Sequence, residues 1–307
     1  MLRRILFYLS LLLLPSAAIA GAVEDVQRLF AREMQTADLA RVKLEVDRII
    51  DPSIDVEAQL AGINRMAAEV QAMLPHNADA WAKVEVLRRY IYEPGPWNTQ
   101  RAFAYDHDDP YGRDVRNKLL GDYLQDRRGN CITMPFLFII LGQRLGLEMA
   151  PALAPLHVLV KFTDDQGVMH NLEATSGAGR ARDQHYRDLL PISDQALANG
   201  LYLAPLDAEQ SMAVIAAVVL DGLMARGAYR EAMAVADVLL ENHPQFAYAL
   251  VKKGTAAYRI LEAEFYSKFP RSGDVPEDQR AELIWLQRVN RDAFQKAEAL
   301  GWKALTR

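Results

Sequence analysis

A single cysteine, Cys131, occurs in the 307 residues, so no disulfide can close within the chain. With no second cysteine there is no CxxC pair, and the histidines show no HxxxH spacing, which removes the common zinc frameworks. The chain also lacks a phosphate-cradling GxxxxGK loop, a GxGxxG dinucleotide fingerprint and a GxSxG elbow, so nucleotide and flavin cofactors are not expected. No cofactor and no metal is called for. Positive charge is scarce: 35 Lys and Arg stand against 40 Asp and Glu, a formal net charge of −5. A nucleic-acid partner needs a basic surface, so none is expected. Nor is there an apolar run of about 20 residues, the length a membrane-spanning helix requires.

What is present begins with a leader. Arg3 and Arg4 precede an apolar run from Ile5 to Pro15, and Ala18 and Ala20 supply the small residues a signal peptidase needs before Gly21. The expectation is a signal peptide over residues 1–20 and a periplasmic or secreted protein with no stable membrane span after its removal. Losing the two arginines changes the balance from 35 against 40 to 33 against 40, or −7. The remainder, 51% apolar and 24% charged over the whole chain, has the composition of packed globular domains. Its length suits two of them.

Apolar residues recur at helical spacing over 23–50, 60–74 and 79–92, and Pro94, Gly95 and Pro96 end the last of these. Residues 97–112 read as an ordered loop. Its Asp106, Asp108, Asp109, Pro110 and Gly112 lack calcium-loop spacing and suit a solvated turn. A short helix over 116–125 and a charged turn over 126–130 lead to Cys131. The apolar run that follows, to Leu147, is a buried helix, and Pro135 confines its start so that Cys131 sits in the entry turn. Residues 157–163 and 168–175 form a β-hairpin around Asp165-Gln166-Gly167, with Asp164 opposite Val168. That register puts Val158, Val160 and Phe162 on an apolar face and brings His157 diagonally across from Glu173 on the other. Beyond Pro205 the chain is helical. Gly227, Tyr229, Ala232, Ala236 and Pro244 follow a tetratricopeptide pattern, and Gly254 opens a partial second repeat that should pack back on the first half.

A lone free cysteine is more often a buried small hydrophobe than a reactive group. At a helix N-terminus, however, unpaired N–H groups and the positive dipole end favour its thiolate. His157 is the one histidine of six that starts a strand after this helix. His76, His107, His185 and His243 fall in turns or surface segments, and His170 falls on the apolar side of its strand. Cysteine, histidine and an orienting acid, Glu173, make a nucleophile, a proton carrier and a ring anchor. Backbone N–H of Cys131 is the natural oxyanion donor. Asn130 stands beside the cysteine, and Trp97 or Asn98 on the long loop is a candidate second donor. Asn171 is an alternative ring anchor to Glu173.

The ordered motifs RRGNC, PLHVLVKF and NLEATSG resemble the bacterial transglutaminase-like superfamily over roughly residues 79–179. The resemblance implies an α+β fold: a papain-like core, helices packed on a small antiparallel sheet, followed by an α-helical tetratricopeptide-like domain. Cys131 and His157 carry over directly. Glu173 stands where many members have an aspartate. The added repeats resemble the SirB-type branch, some members of which have lost the cysteine. The organisation that follows is a leader over 1–20, a helical segment over 21–78, the core over 79–204 and the repeat region over 205–307. The implied function is thiol-dependent acyl transfer on amide or peptide bonds of a peptide or protein, as hydrolase or transglutaminase. The alternative is an inactive binding module that presents a groove and repeat surface to a protein partner.

Overall fold

Aspartates start several of the helices. Asp38, Asp55, Asp79 and Asp207 accept from Arg41, Ala58, Ala82 and Gln210 N–H, closing the N-termini of α2 (Leu39–Ile50), α3 (Val56–Met73), α4 (Ala80–Tyr92) and α9 (Ala208–Ala225). Each such cap is worth about 1 kcal/mol over an uncapped end. The computed structural model describes residues 16–31 and 38–305. Of the expected leader, residues 1–15 lie outside the described residues, and α1 (Ser16–Leu29) runs through the expected cut after Ala20.

The centre is α6 (Thr133–Arg144), buried from Thr133 through Gly142. A helix apolar on every side needs neighbours on every side. It has α2, α3, α4 and α5 (Leu120–Asp126) around it, and β3 (Glu148–Ala154) and β4 (His157–Thr163) of the sheet. The sheet is antiparallel in the order β3-β4-β5-β6, with β5 at Met169–Glu173 and β6 at Gly179–Ala181. Thr163 pairs with Met169, and Asp164 N–H bonds Val168 O at 3.0 Å, which is the register the hairpin spacing implies. Two further strands, β1 (Ala104–Tyr105) and β2 (Arg128–Gly129), pair in parallel and tie the long loop to the turn before Cys131.

Several expectations need correction. The strand β3 is absent from the sequence reading because Ala, Met and Pro151 argue against a strand. It is an edge strand, and residues 203–206 cover its outer side: Leu203 and Leu206 N–H bond Leu153 and Pro151 O at 2.8 and 2.9 Å. The helix expected over 116–125 breaks at Leu119 into a 3-10 turn, Val115–Lys118, and α5. The turn expected over 126–130 contains β2. Val168 is half exposed rather than part of the apolar face. The face opposite Val158 and Val160 is not solvated: Lys161 and Asn171 are buried, both in contact with Asp183 at the start of α7 (Asp183–Leu189). His243, expected in a turn or surface segment, lies in the connection after Asn242 but is buried there and stacks on Phe246 at 5.2 Å.

After α8 (Asp194–Ala198), the helices α9, α10 (Tyr229–Asn242), α11 (Ala247–Ile260) and α12 (Glu277–Ala299) pack in chain order. Gly227, at φ 74°, ends α9 with its N–H on Met224 O while Ala228 N–H reaches Leu223 O, the two-bond closure that favours a left-handed glycine. Gly254 lies inside α11, not at the head of a repeat. A Cβ there would sit 2.8 Å from the Phe294 ring, so it marks a close approach of α11 to α12. Among the described residues α9 is long and apolar enough to cross a membrane, but 67% of it is buried inside the fold. It packs on α2, and side chains of α1, α2, β3, β4 and the C-terminal helices share one apolar core.

Candidate active site

The turn that carries Cys131 is held from both ends. Asn130 Oδ1 accepts from Ile132 and Thr133 N–H at 2.9 and 3.3 Å, and Thr133 Oγ1 accepts from Asn130 N–H at 3.1 Å. These reciprocal bonds close the turn that leads into α6, and Cys131 lies in that turn, two residues before Thr133. Met134 N–H reaches Asn130 O at 3.1 Å, whereas Pro135 has no N–H to give Cys131 O. Cys131 N–H makes no hydrogen bond among the described residues. It is one of the orphan donors that a helix start leaves over. Asn130 is itself buried, and its Nδ2 donates to Asn117 O at 2.9 Å.

The β3–β4 turn, Pro155-Leu156, delivers the histidine. Leu156 takes a left-handed φ of 54°, which costs a branched side chain about 1–2 kcal/mol. Its carbonyl accepts the Cys131 thiol at 3.5 Å, and the next residue is His157. His157 Nε2 lies 2.8 Å from Glu173 Oε2, and Cys131 stands close enough to the ring to raise its pKa. With Nε2 taken, Nδ1 is the nitrogen left for the sulfur. Cys131, His157 and Glu173 are thus brought to one site. Cys131 is partly exposed, and the side chains of His157 and Glu173 are mostly buried.

Burial alone pushes the imidazole down, but its bonds to Cys131 and Glu173 and the attraction of both raise its pKa to about 9. Burial pushes Glu173 up, yet the bond and charge of His157, helped by Thr175 and Tyr186, hold it at about 2. Between those limits the pair is an imidazolium beside a carboxylate. Glu173 Oε1 accepts from Thr175 N–H at 3.0 Å and Oγ1 at 2.6 Å, while Oε2 also accepts from Tyr186 O–H at 2.9 Å.

The remaining candidates fall elsewhere. Asn171 donates to Asp183 at 2.6 Å and has no bond to His157, so it is not the ring anchor. Asn98 spends its amide on Gly95, Tyr90 and Glu93 backbone, and Trp97 Nε1 donates to Tyr90 O. Both brace the end of α4 and border a groove of about 440 Å³ whose lining does not include Cys131. Neither is placed as an oxyanion donor. In the acidic loop, Asp109 accepts from Arg113 and Asp114 N–H and from Asn117, the bonds of a turn-former. Among the described residues no three His, Cys, Asp or Glu side chains are grouped as metal ligands.

Sequence reasoning overlooked several residues. Thr175 carried a signal, a hydroxyl two positions after the acid in LEAT. Tyr186 carried none, because ARDQHYRDLL reads as a surface helix. Tyr105 is brought beside the cysteine by β1–β2 pairing; burial, then the charges of Cys131, Tyr111 and Glu173, push its hydroxyl up. From α11, Tyr248 is raised by burial, then by Asp221 and by the charge of Cys131.

A family model described as the transglutaminase-like superfamily matches residues 57–214, just over half of the chain. The match begins in α3, ends in α9 and contains the cysteine, the histidine and the glutamate. No curated protein and no solved structure matches.

Proposed function

Because the chain belongs to the transglutaminase-like superfamily, we propose that it is an exported thiol-dependent acyl-transfer enzyme acting on amide bonds of a peptide or protein. The observation that carries this reading is the His157 imidazole held by Glu173 at 2.8 Å next to the thiol of Cys131, which bonds the carbonyl of the preceding residue, Leu156. In the first half-reaction the sulfur attacks the amide carbonyl carbon, and the developing oxyanion points at the free Cys131 N–H. The C–N bond then breaks with its electrons on nitrogen, which takes a proton from His157 and leaves as the amine. In the second half, water or an amine attacks the thioester while His157 removes its proton, and the thiolate departs. Glu173 keeps the ring oriented and its positive form stabilised throughout.

The finer points of the proposal are the leader over residues 1–20, the SirB-type branch, and tetratricopeptide-like helices α9 to α12 as a surface for a protein partner. N-terminal sequencing of exported protein should read from Gly21; an uncut chain would remove the export claim.

The enzymatic claim is tested with dimethylcasein as glutamine donor and dansylcadaverine as amine, alongside ammonia release for hydrolysis. Parent protein should show one activity or the other, and Cys131→Ala and His157→Ala should abolish it. Turnover that survives Cys131→Ala refutes the assignment. A Cys131 that reacts no faster with iodoacetamide in the parent than in His157→Ala would instead favour the binding module.

A further inference from the structure

We propose that Tyr186 and Thr175 are positioning residues that make a glutamate competent as the ring anchor of this site. The inference rests on the acyl-transfer reading above and adds to it the device that holds the acid in place.

A glutamate carries one more rotatable bond than an aspartate, and a partly exposed carboxylate on a longer stem samples more positions. Here that freedom is removed. Oε1 is fixed by two donors of one residue, Thr175 N–H at 3.0 Å and Oγ1 at 2.6 Å. Oε2 is shared by His157 Nε2 at 2.8 Å and Tyr186 O–H at 2.9 Å. The two oxygens thus hold four donors, of which three are independent of the histidine. Tyr186 is 2% exposed, so its hydroxyl has no water to turn to, and its ring lies 6.0 Å from the imidazole at a 33° tilt. The tyrosine packs against the ring it helps to orient. It comes from α7, whose first residue, Asp183, also meets Asn171 at 2.6 Å and Lys161 at 3.8 Å, so the start of α7 is tied to the same face of the sheet as the carboxylate.

The groups that face this pair are few. Cys131 stands behind His157, Tyr92 of α4 and Tyr105 of β1 feel the charge of Glu173, Arg88 lies beyond Tyr92, and Asp183 and His185 flank Tyr186. Among the described residues none of them donates a hydrogen bond to the carboxylate.

Because the chain has one cysteine, alkylation by iodoacetamide reads a single site. The test measures its rate from pH 5 to pH 10 in parent, His157→Ala, Tyr186→Phe, Thr175→Val and Thr175→Ser. Phenylalanine keeps the buried ring and removes only the hydroxyl. If Tyr186 positions Glu173, the Tyr186→Phe rate at pH 6 falls about tenfold, the equivalent of one pKa unit, and converges on the parent rate at pH 10. Thr175→Val should fall in the same way and Thr175→Ser should recover. A role in packing alone would leave the pH profile in place. Parent-like rates at pH 6 in both Tyr186→Phe and Thr175→Val, with His157→Ala collapsed, overturn this proposal and leave the acyl-transfer reading standing. A parent profile no different from His157→Ala overturns both. Should Tyr186→Phe fail to fold, the valine and serine pair at position 175 decides.

Discussion

Replacing Glu173 by glutamine keeps the length and volume of the side chain and removes one charge and one acceptor. Thr175 N–H, a backbone donor that cannot turn, holds the Oε1 side at 3.0 Å, so the amide oxygen must go there. The amide NH2 then faces His157 and Tyr186. The tyrosine hydroxyl can rotate to accept, but the imidazole can accept only by shedding its Nε2 proton. The neutral ring would carry its proton on Nδ1, the nitrogen toward Cys131, and could no longer take the thiol proton. Two of the four contributions that outweigh burial and raise His157 to about 9 come from Glu173. Their loss should lower its titration by more than one pH unit, a tenfold loss or about 1.4 kcal/mol of imidazolium stabilisation. The sign follows from linkage: a raised histidine stabilises the fold fully below about pH 6.5, and that stability fades as pH rises through about 9. The lowered acid contributes above about pH 4.5 and loses its contribution as pH falls through about 2. Parent and variant should therefore differ most in stability near pH 6, and the difference should shrink as pH rises through about 9. Nitrogen-15 spectra of histidine-labelled protein, assigned with His157→Ala, read both the tautomer and the titration. An unchanged titration, or a ring that keeps its Nε2 proton in the glutamine variant, would refute the reasoning.

Three other outcomes are expected. Lys43 and Asp47 are fully buried and bonded to each other, with Lys118 O and Leu120 N–H completing their shells; burial lowers the lysine and raises the aspartate. Lys43→Ala leaves the carboxylate alone in the core and should cost about 3–5 kcal/mol in urea unfolding, whereas Lys43→Met with Asp47→Leu should cost clearly less. Equal losses would show that packing, not the orphaned charge, sets the cost. Leu156→Gly removes the left-handed strain from a residue that is 53% exposed, so it should raise stability by about 1 kcal/mol; a lower melting temperature counts against strain at that turn. Asn130→Ala removes the cap on the cysteine helix and should cost about 1–2 kcal/mol together with a fall in kcat larger than any change in KM. Parent-like kcat would mean that the Cys131 N–H is placed without the cap.

The helical parts of the fold were legible because period and punctuation agree there. Asp79 before the apolar pattern and Pro94 after it bracket α4, and the hairpin turn at Asp165-Gln166-Gly167 fixes the β4–β5 register. Failures occur where tertiary contact overrides local preference. Nothing in Glu148-Met149-Ala150-Pro151-Ala152-Leu153-Ala154 speaks for a strand, yet pairing with β4 on one side and residues 203–206 on the other makes it one. Lys161 alternates as an outward residue should. It is nevertheless buried, with Asp183 at the start of α7 lying 3.8 Å from its ammonium.

The same division runs through the candidate site. Cys131, His157 and Glu173 are visible because each owes its place to a rule of local geometry: a capped helix start, a strand that begins at a tight turn, and a two-residue period across a known register. Trp97 and Asn98 have only nearness in a loop to recommend them, and their polar atoms are committed to the end of α4. Tyr186 was invisible for the opposite reason. Its hydroxyl acquires meaning only once α7 is laid across the sheet and brings it to Glu173 Oε2 at 2.9 Å. Elements close to the nucleophile in sequence therefore announce themselves through helix and strand chemistry. The groups that tune the acid arrive from a separate element, and single-chain pattern carries no record of that meeting. A glutamate at position 173 is best understood from there: its extra methylene is compensated by the donors around it, not by anything in its own strand.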